Sequence, residues 1–369
     1  MSTEGTPWVT TPLIESANLS KAAGCRIFLK LENLQPAGSF KSRGVGNFCR
    51  HALLHAIDQG HDEDKVHFYT SSGGNAGLAC VHAARFLGRP ATVVVPMSTK
   101  QMMIAKITAA GASEAVQRGA SWTDADQYLR EVVIKQAESK GEIGVYVPPF
   151  DHPNVWSGNA TIIEELKYQL PGVAREQSAH PDVIVCSVGG GGLLNGIVQG
   201  VQEETLMEGT TVLAMETVGA DSLAASLKAR KLVTLPGITS LATSLGATRV
   251  SERTFQLATE FGESGRFKNA VLTDAEAAMG CWRFADDERM LVELACGVNV
   301  ALCYGGRLEK ALGRPVRKDE KVVIVVCGGQ NVTTEMVEGW RQQFGDLDKE
   351  GSDGHIATIP SAATAPDRR

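Results

Sequence analysis

Short β-branched runs alternate with stretches of helical periodicity along most of the chain. Arg26-Ile27-Phe28-Leu29-Lys30-Leu31-Glu32 reads as a strand that enters a small-residue loop, Pro36 to Gly44, after which Val45 to Gly60 is predicted helical. Val66 to Thr70 is a second strand, followed by a turn and a helix through Leu87; Ala91 to Val95 precedes a helix from Lys100 to Ala110. Gly144 to Val147 comes next, closed by Pro148-Pro149, then a helix from Gly158 to Leu170. The second half continues with strands Val183 to Val188, Thr211 to Glu216 and Lys321 to Val326, and with helices Leu193 to Glu204 and Val332 to Gln343. This alternation predicts an α/β fold, a parallel sheet covered by helices on both faces. From Gly345 onward, Asp, Ser, Ala and Pro dominate, so residues 345–369 are expected to be a disordered tail.

Polar or Gly-rich clusters fall just beyond predicted strands, where open α/β sheets place their ligands. They are Ser71-Ser72-Gly73-Gly74-Asn75-Ala76-Gly77, Gly189-Gly190-Gly191-Gly192 and Cys327-Gly328-Gly329-Gln330-Asn331.

Composition narrows the function classes. A chain of 369 residues, 43% hydrophobic and 21% charged, accommodates about two domains with a large core. A net charge of -6 without a long basic run argues against nucleic acid. No apolar run approaches membrane-spanning length and no basic-then-apolar leader opens the chain, so no membrane partner is expected and the cytosol is the expected address. The eight cysteines form no C-x-x-C pair, and most are read as buried hydrophobes. His51 and His55 share a helix face but have no acidic or cysteine partner nearby, so a solvated face is expected rather than a metal pair.

Lys41 lies between Gly38-Ser39-Phe40 and Ser42-Arg43-Gly44, with small residues that let backbone come close and a flat apolar ring beside it. A lysine in a partly desolvated setting gives up its proton more easily and can condense with an aldehyde. The four glycines between a strand and a helix offer unobstructed N–H groups at a positive helix end, which suits a phosphate. Leu194 stands where the dinucleotide fingerprint needs glycine, and no Gly-Lys-Ser/Thr follows, which disfavours a nucleotide. Ser71 to Gly77 is a second anion-friendly turn, and Asn75 can both donate to and accept from a ring oxygen. Each cluster alone has a plain alternative, a surface lysine or a packing turn; together they fit pyridoxal phosphate.

Pro36 to Gly44, Ser71 to Gly77, Ser187 to Leu194 and Val326 to Asn331 resemble the motifs of the fold type II pyridoxal-phosphate enzymes. Within that family the chain is most similar to the catabolic serine dehydratases, from about Thr11 to Phe344. The likeness includes Tyr146-Val147-Pro148-Pro149-Phe150-Asp151, Ala214-Met215-Glu216-Thr217, Asp286-Asp287-Glu288 and Glu293-Leu294-Ala295-Cys296-Gly297. The resemblance implies a tryptophan-synthase-β-like fold of two lobes, each a mostly parallel sheet flanked by helices. A small substrate-side lobe would occupy residues 40–149, and residues 1–39 and 150–344 would form the large cofactor-binding one.

By the same resemblance, Lys41 forms the internal aldimine, Phe40 packs on the cofactor ring and Asn75 binds its hydroxyl oxygen. Gly189, Gly190, Gly191, Gly192 and Leu193 would hold the phosphate, and Ser72, Gly73, Asn75 and Ala76 the substrate carboxylate. Relatives often carry Ala or Ser at Gly73, a departure that could widen the pocket or loosen its loop. Cys327 would meet the pyridine nitrogen, where related synthases, racemases and biosynthetic deaminases usually have serine. A monovalent cation, potassium, would sit at Gly189, Glu216, Ala220, Leu245 and Ala247, mostly on backbone carbonyls. The implied reaction is β-elimination from a small hydroxy amino acid, L-serine or L-threonine, in a homodimer. A β-replacement synthase or serine racemase on the same fold is the alternative, and a non-catalytic binder is a further one.

Overall fold

The computed structural model describes residues 5–204, 207–348 and 357–358. Its strands in chain order are β1 (Leu13–Ser16), β2 (Arg26–Lys30), β3 (Val66–Thr70), β4 (Ala91–Val95), β5 (Glu114–Gln117), β6 (Ile143–Tyr146), β7 (Val183–Ser187), β8 (Thr211–Thr217), β9 (Phe267–Leu272), β10 (Lys321–Val325) and β11 (Ala357–Thr358). The predicted α/β class is what the chain adopts. It divides into two compact units, one of Met1–Thr10 with Leu34–Asn159, the other of Thr11–Asn33 with Ala160–Arg369.

In the first unit a four-stranded sheet runs β5-β4-β3-β6 with every pair parallel. All five residues of β4 are buried, the mark of a strand covered on both faces, where side chains need not alternate. In the second unit seven strands run β1-β2-β10-β7-β8-β9-β11. Its interior pairs are parallel; β1 and β11 pair antiparallel at the edges. Residues Val183–Ser187 of β7 are all buried, which is why the strand reads as an unbroken apolar run.

The helices that position the clusters are α1 (Lys41–Asp58), α2 (Asn75–Phe86), α3 (Trp122–Tyr128), α4 (Pro153–Ala174) and α5 (Gly192–Glu203). Helix α1 starts at Lys41 itself, not at Val45 as predicted. Gly38 takes a left-handed conformation, φ 74°, and its N–H donates to the Gln35 carbonyl at 2.7 Å. Ser42 N–H then donates to the Ser39 carbonyl at 3.1 Å and its hydroxyl accepts from Ala37 N–H at 3.1 Å, so the loop closes into the first helical turn.

Gly44 has a different task from the one expected. A Cβ there would lie 2.7 Å from the Val155 carbonyl oxygen, and a Cβ on Gly158 would lie 2.6 Å from the Arg43 carbonyl oxygen. These glycines let α1 and the first turns of α4 cross backbone to backbone. Gly44 therefore serves packing and fixes the direction in which α1 presents its first residue.

Periodicity missed β1, β9, the mixed-polarity edge strand β5 and the helical segment that starts at α3. The expected disordered tail carries a 3-10 turn over Gly345–Asp348, and β11 pairs with β9; residues 349–356 and 359–369 lie outside the described residues.

Gly158→Ala tests the crossing by its sign. In an open helix alanine would stabilise by about 1 kcal/mol, whereas overpacking against backbone costs about 1–3 kcal/mol. Net destabilisation in urea unfolding is expected; a stabilised variant would contradict the close crossing.

Candidate functional site

The residues singled out in the sequence divide between the two units. In the first, Lys41 is the opening residue of α1 and is half-buried. Its Nζ donates to the Pro149 carbonyl at 2.6 Å and lies 5.2 Å from the centroid of the Phe40 ring. Pro149 belongs to the chain that leaves β6, so a sheet strand delivers the acceptor and a helix start delivers the amine.

Ser71–Gly74 forms the turn between β3 and α2, with Gly74 at the N-cap and no side chain capping it. The positive end of α2 is thus presented by backbone alone, a setting suited to a carboxylate. Ser72 Oγ accepts from Gly74 N–H at 3.3 Å and so ties the turn to itself. A Cβ on Gly77 would lie 1.9 Å from the Ser72 carbonyl oxygen, so only glycine allows the turn to fold back on its helix. Space left by the missing side chain at Gly73 is taken by Thr99, whose methyl lies 2.7 Å from where a Cβ would sit.

In the second unit β7 leads into the glycine run, and α5 begins at Gly192 with Gly191 as its N-cap at φ 99°. No side chain caps this helix either. A Cβ on Gly191 would fall 1.8 Å from Thr254 Oγ1, and one on Gly189 would fall 3.2 Å from Leu245 Cα. Behind the loop, Thr254 Oγ1 donates to Asn195 Oδ1 at 2.9 Å and pairs with Ser251 Oγ at 2.8 Å, while Ser251 N–H donates to the Gly190 carbonyl at 3.0 Å. Sequence reasoning missed Asn195, Ser251 and Thr254, which are isolated polar residues brought together only by folding. Leu193 is buried under the loop.

Cys327 follows β10 and is buried, its Sγ 3.5 Å from Ser187 Oγ and 3.7 Å from the Ala295 carbonyl oxygen. A hydrogen bond with Cys296, and then burial, push its thiol well above the ordinary value, so Cys327 stays neutral. Glu293, which opens the family-like stretch through Gly297, accepts from Asn331 N–H at 3.1 Å and fills the space beside Gly329, whose φ is 113°.

Glu216 in β8 is buried and accepts from Leu223 N–H at 2.8 Å, Ala224 N–H at 2.9 Å and Asn269 Nδ2 at 3.0 Å. Burial pushes its carboxyl up to about 8 against the pull of these donors. Ala220 N–H donates to the Thr217 carbonyl and Ala247 N–H to the Leu245 carbonyl. Among the described residues no cluster of three or more His, Cys, Asp or Glu could hold a metal ion, and His51 and His55 are exposed. All eight cysteines are buried and unbridged, as expected.

The first unit thus offers a primary amine and a helix start without a side-chain cap, the second a glycine-rich helix start of the same kind and a neutral thiol. Comparison with known proteins points the same way. A family model described as pyridoxal-phosphate dependent enzyme matches residues 6–328. An L-serine dehydratase of Saccharomyces cerevisiae (strain AWRI1631) is 40% identical over 335 residues, 90% of this chain and 96% of that protein. A serine dehydratase-like protein of Rattus norvegicus is 41% identical over 336 residues, 90% of this chain and 94% of its own. Among solved structures, a fungal L-serine ammonia-lyase from Rhizomucor miehei matches with a TM-score of 0.79 at 33% identity, over 92% of this chain and all of that one.

Gly191→Ala combines a left-handed backbone with a clash, and each carries a cost of order 1–3 kcal/mol. The variant is expected to lose stability in urea; a wild-type value would contradict the close packing of Gly191 on Thr254.

Proposed function

Because the chain belongs to the pyridoxal-phosphate dependent enzyme family, we propose that it is an ammonia-lyase that converts L-serine to pyruvate and ammonia and L-threonine to 2-oxobutyrate and ammonia. The observation that carries this is the Lys41 amine, held at the Pro149 carbonyl in the unit that also carries the Ser71–Gly74 turn. The relatives named for serine dehydration, at 40% identity and near-complete coverage, support the substrate class.

The residues fit the cofactor. Gly189 to Gly192 with Leu193 present an uncapped helix start for a phosphate, and Cys327 offers a neutral partner for a ring nitrogen. Asn75 is assigned to the ring oxygen and Phe40 to the ring face. When bound, pyridoxal phosphate supplies an aldehyde for an amine and an electron-withdrawing ring that acidifies the α-hydrogen of an amino acid. Ser72, Gly73, Asn75 and Ala76 hold the substrate carboxylate and so orient that hydrogen towards Lys41. With the cofactor and substrate bound, Lys41 Nζ would be the general base that takes the α-proton. As a neutral thiol, Cys327 would hold the ring nitrogen without giving it a full proton, so the ring would withdraw less charge than one paired with a carboxylate.

Potassium at Gly189, Glu216, Ala220, Leu245 and Ala247 belongs to the same reading, as do homodimer assembly and a cytoplasmic address; these rest on the family resemblance. Exchange of potassium for lithium is expected to lower both turnover and melting temperature, and equal values in both salts would remove the cation.

Purified protein given L-serine or L-threonine should release the oxo acid and ammonia in equal amounts. Accumulation of D-serine, or of a sulfur amino acid when a thiol is added, would move the chain to racemases or synthases. Lys41→Ala should lower oxo-acid release by roughly 10³-fold or more; a variant that keeps the wild-type rate would refute the assignment.

A further inference from the structure

Asp126 is a half-buried carboxylate in α3 that the elimination chemistry does not use, and its oxygens face elements that the chemistry does use. Its Oδ1 accepts from Ser71 Oγ at 2.6 Å and from the Tyr146 phenol at 2.7 Å. Its Oδ2 lies 3.3 Å from Arg130 Nε, and the Arg130 guanidinium stacks 4.2 Å from the centroid of the Tyr146 ring. Ser71 is 1% exposed and opens the turn assigned to the substrate carboxylate. Tyr146 ends β6, and the chain beyond it carries the Pro149 carbonyl that receives the Lys41 amine.

The two anchored elements are already neighbours in the sheet. Tyr69 of β3 is paired with Tyr146 of β6, Val147 N–H donates to the Tyr69 carbonyl at 2.7 Å, and Thr70 Oγ1 donates to the Val147 carbonyl at 3.3 Å. Backbone pairing fixes the strands, but it ends where the turn begins. Asp126 is the group that continues the tie past that point, joining the first residue of the turn to the last residue of β6 through one oxygen. Burial, and then the carboxylate itself, push the Tyr146 phenol up to about 12, so both partners are donors throughout the neutral range.

Local helix geometry suits this use. A Ser121–Asp124 capping box starts α3, which passes directly into a π turn, Leu129–Val133. A π turn inserts one residue and rotates the side chains that follow, a device that recurs at functional sites. Here the turn carries Arg130, which covers the Tyr146 ring and contacts Asp126 Oδ2.

We propose that Asp126 is a positioning residue for the lyase reaction, holding the substrate-carboxylate turn at Ser71 in register with the strand that leads to the acceptor of Lys41. It acts through Ser71 and Tyr146 and touches no reacting atom. The proposal rests on the ammonia-lyase reading for its kinetic consequence but not for its structural one, and the two are separable by experiment.

The comparison is between Asp126→Ala, which removes the shared acceptor, and Asp126→Asn, which keeps one carbonyl oxygen able to accept from both Ser71 and Tyr146. In the cofactor-loaded protein, amide hydrogen exchange over residues 71–76 should quicken roughly tenfold in Asp126→Ala and stay near wild type in Asp126→Asn. KM for L-serine should rise roughly tenfold in Asp126→Ala with kcat changed less than about threefold, and Asp126→Asn should recover most of that loss. Ser71→Ala should reproduce the KM rise, and adding Asp126→Ala to it should cost little more, because either change breaks the tie between the turn and β6. These single-bond variants decide the matter should Asp126→Ala fold poorly. Unchanged exchange over residues 71–76 in both Asp126→Ala and Ser71→Ala would overturn the proposal whatever the enzyme's activity. An equal loss in the Ala and Asn variants would also overturn it. A wild-type protein that releases no oxo acid from L-serine would instead sink the ammonia-lyase reading, and the exchange measurement would still judge Asp126.

Discussion

The hydrogen bond from Lys41 Nζ to the Pro149 carbonyl is the interaction on which the rest of the first unit converges. A lysine at the first position of an 18-residue helix sits at the positive end of that helix, the reverse of the usual placement of basic residues. Its amine is held there by a carbonyl dipole, and the geometry needs three supports. Gly38 turns the chain so that α1 can start at Lys41, the Gly44 and Gly158 crossing fixes where the helix points, and β6 delivers the acceptor. They set one nitrogen at the chain that leaves the edge strand β6.

The second unit solves a different problem with similar means. A helix start left open by glycines keeps backbone free of side chains, yet a bare glycine run would be floppy, since glycine loses the most conformational freedom on folding. Here the run is held from behind by Asn195, Ser251 and Thr254, and Thr254 occupies the volume in which a side chain on Gly191 would lie. Cys327 shows the same economy. Set between Ser187 and the Ala295 carbonyl and raised by its bond with Cys296, it stays uncharged without needing a carboxylate or a base.

Much of this was legible in the sequence because strand ends and glycine runs are local signals. The turn after β3, the four glycines after β7 and the Cys-Gly-Gly after β10 all fall where periodicity put them, at the carboxyl ends of buried strands. The start of α1 was misread because the loop's small residues resemble a flexible segment; only the Ser42 side chain and the left-handed Gly38 show that it is already helical. Gly44 was misjudged for a related reason, since a glycine that admits a ligand and one that admits a helix look alike in sequence. Asp126 and Thr254 were invisible, because each bonds to a residue more than fifty positions away. The π turn after α3 also broke the helical period that would have marked its segment.

Reduction of the purified protein with borohydride, followed by peptide mapping, tests the central claim most directly. A pyridoxyl group fixed on Lys41, in near-stoichiometric yield, is the result the account predicts. A modified lysine elsewhere, or a protein that retains no cofactor after reduction, would contradict it.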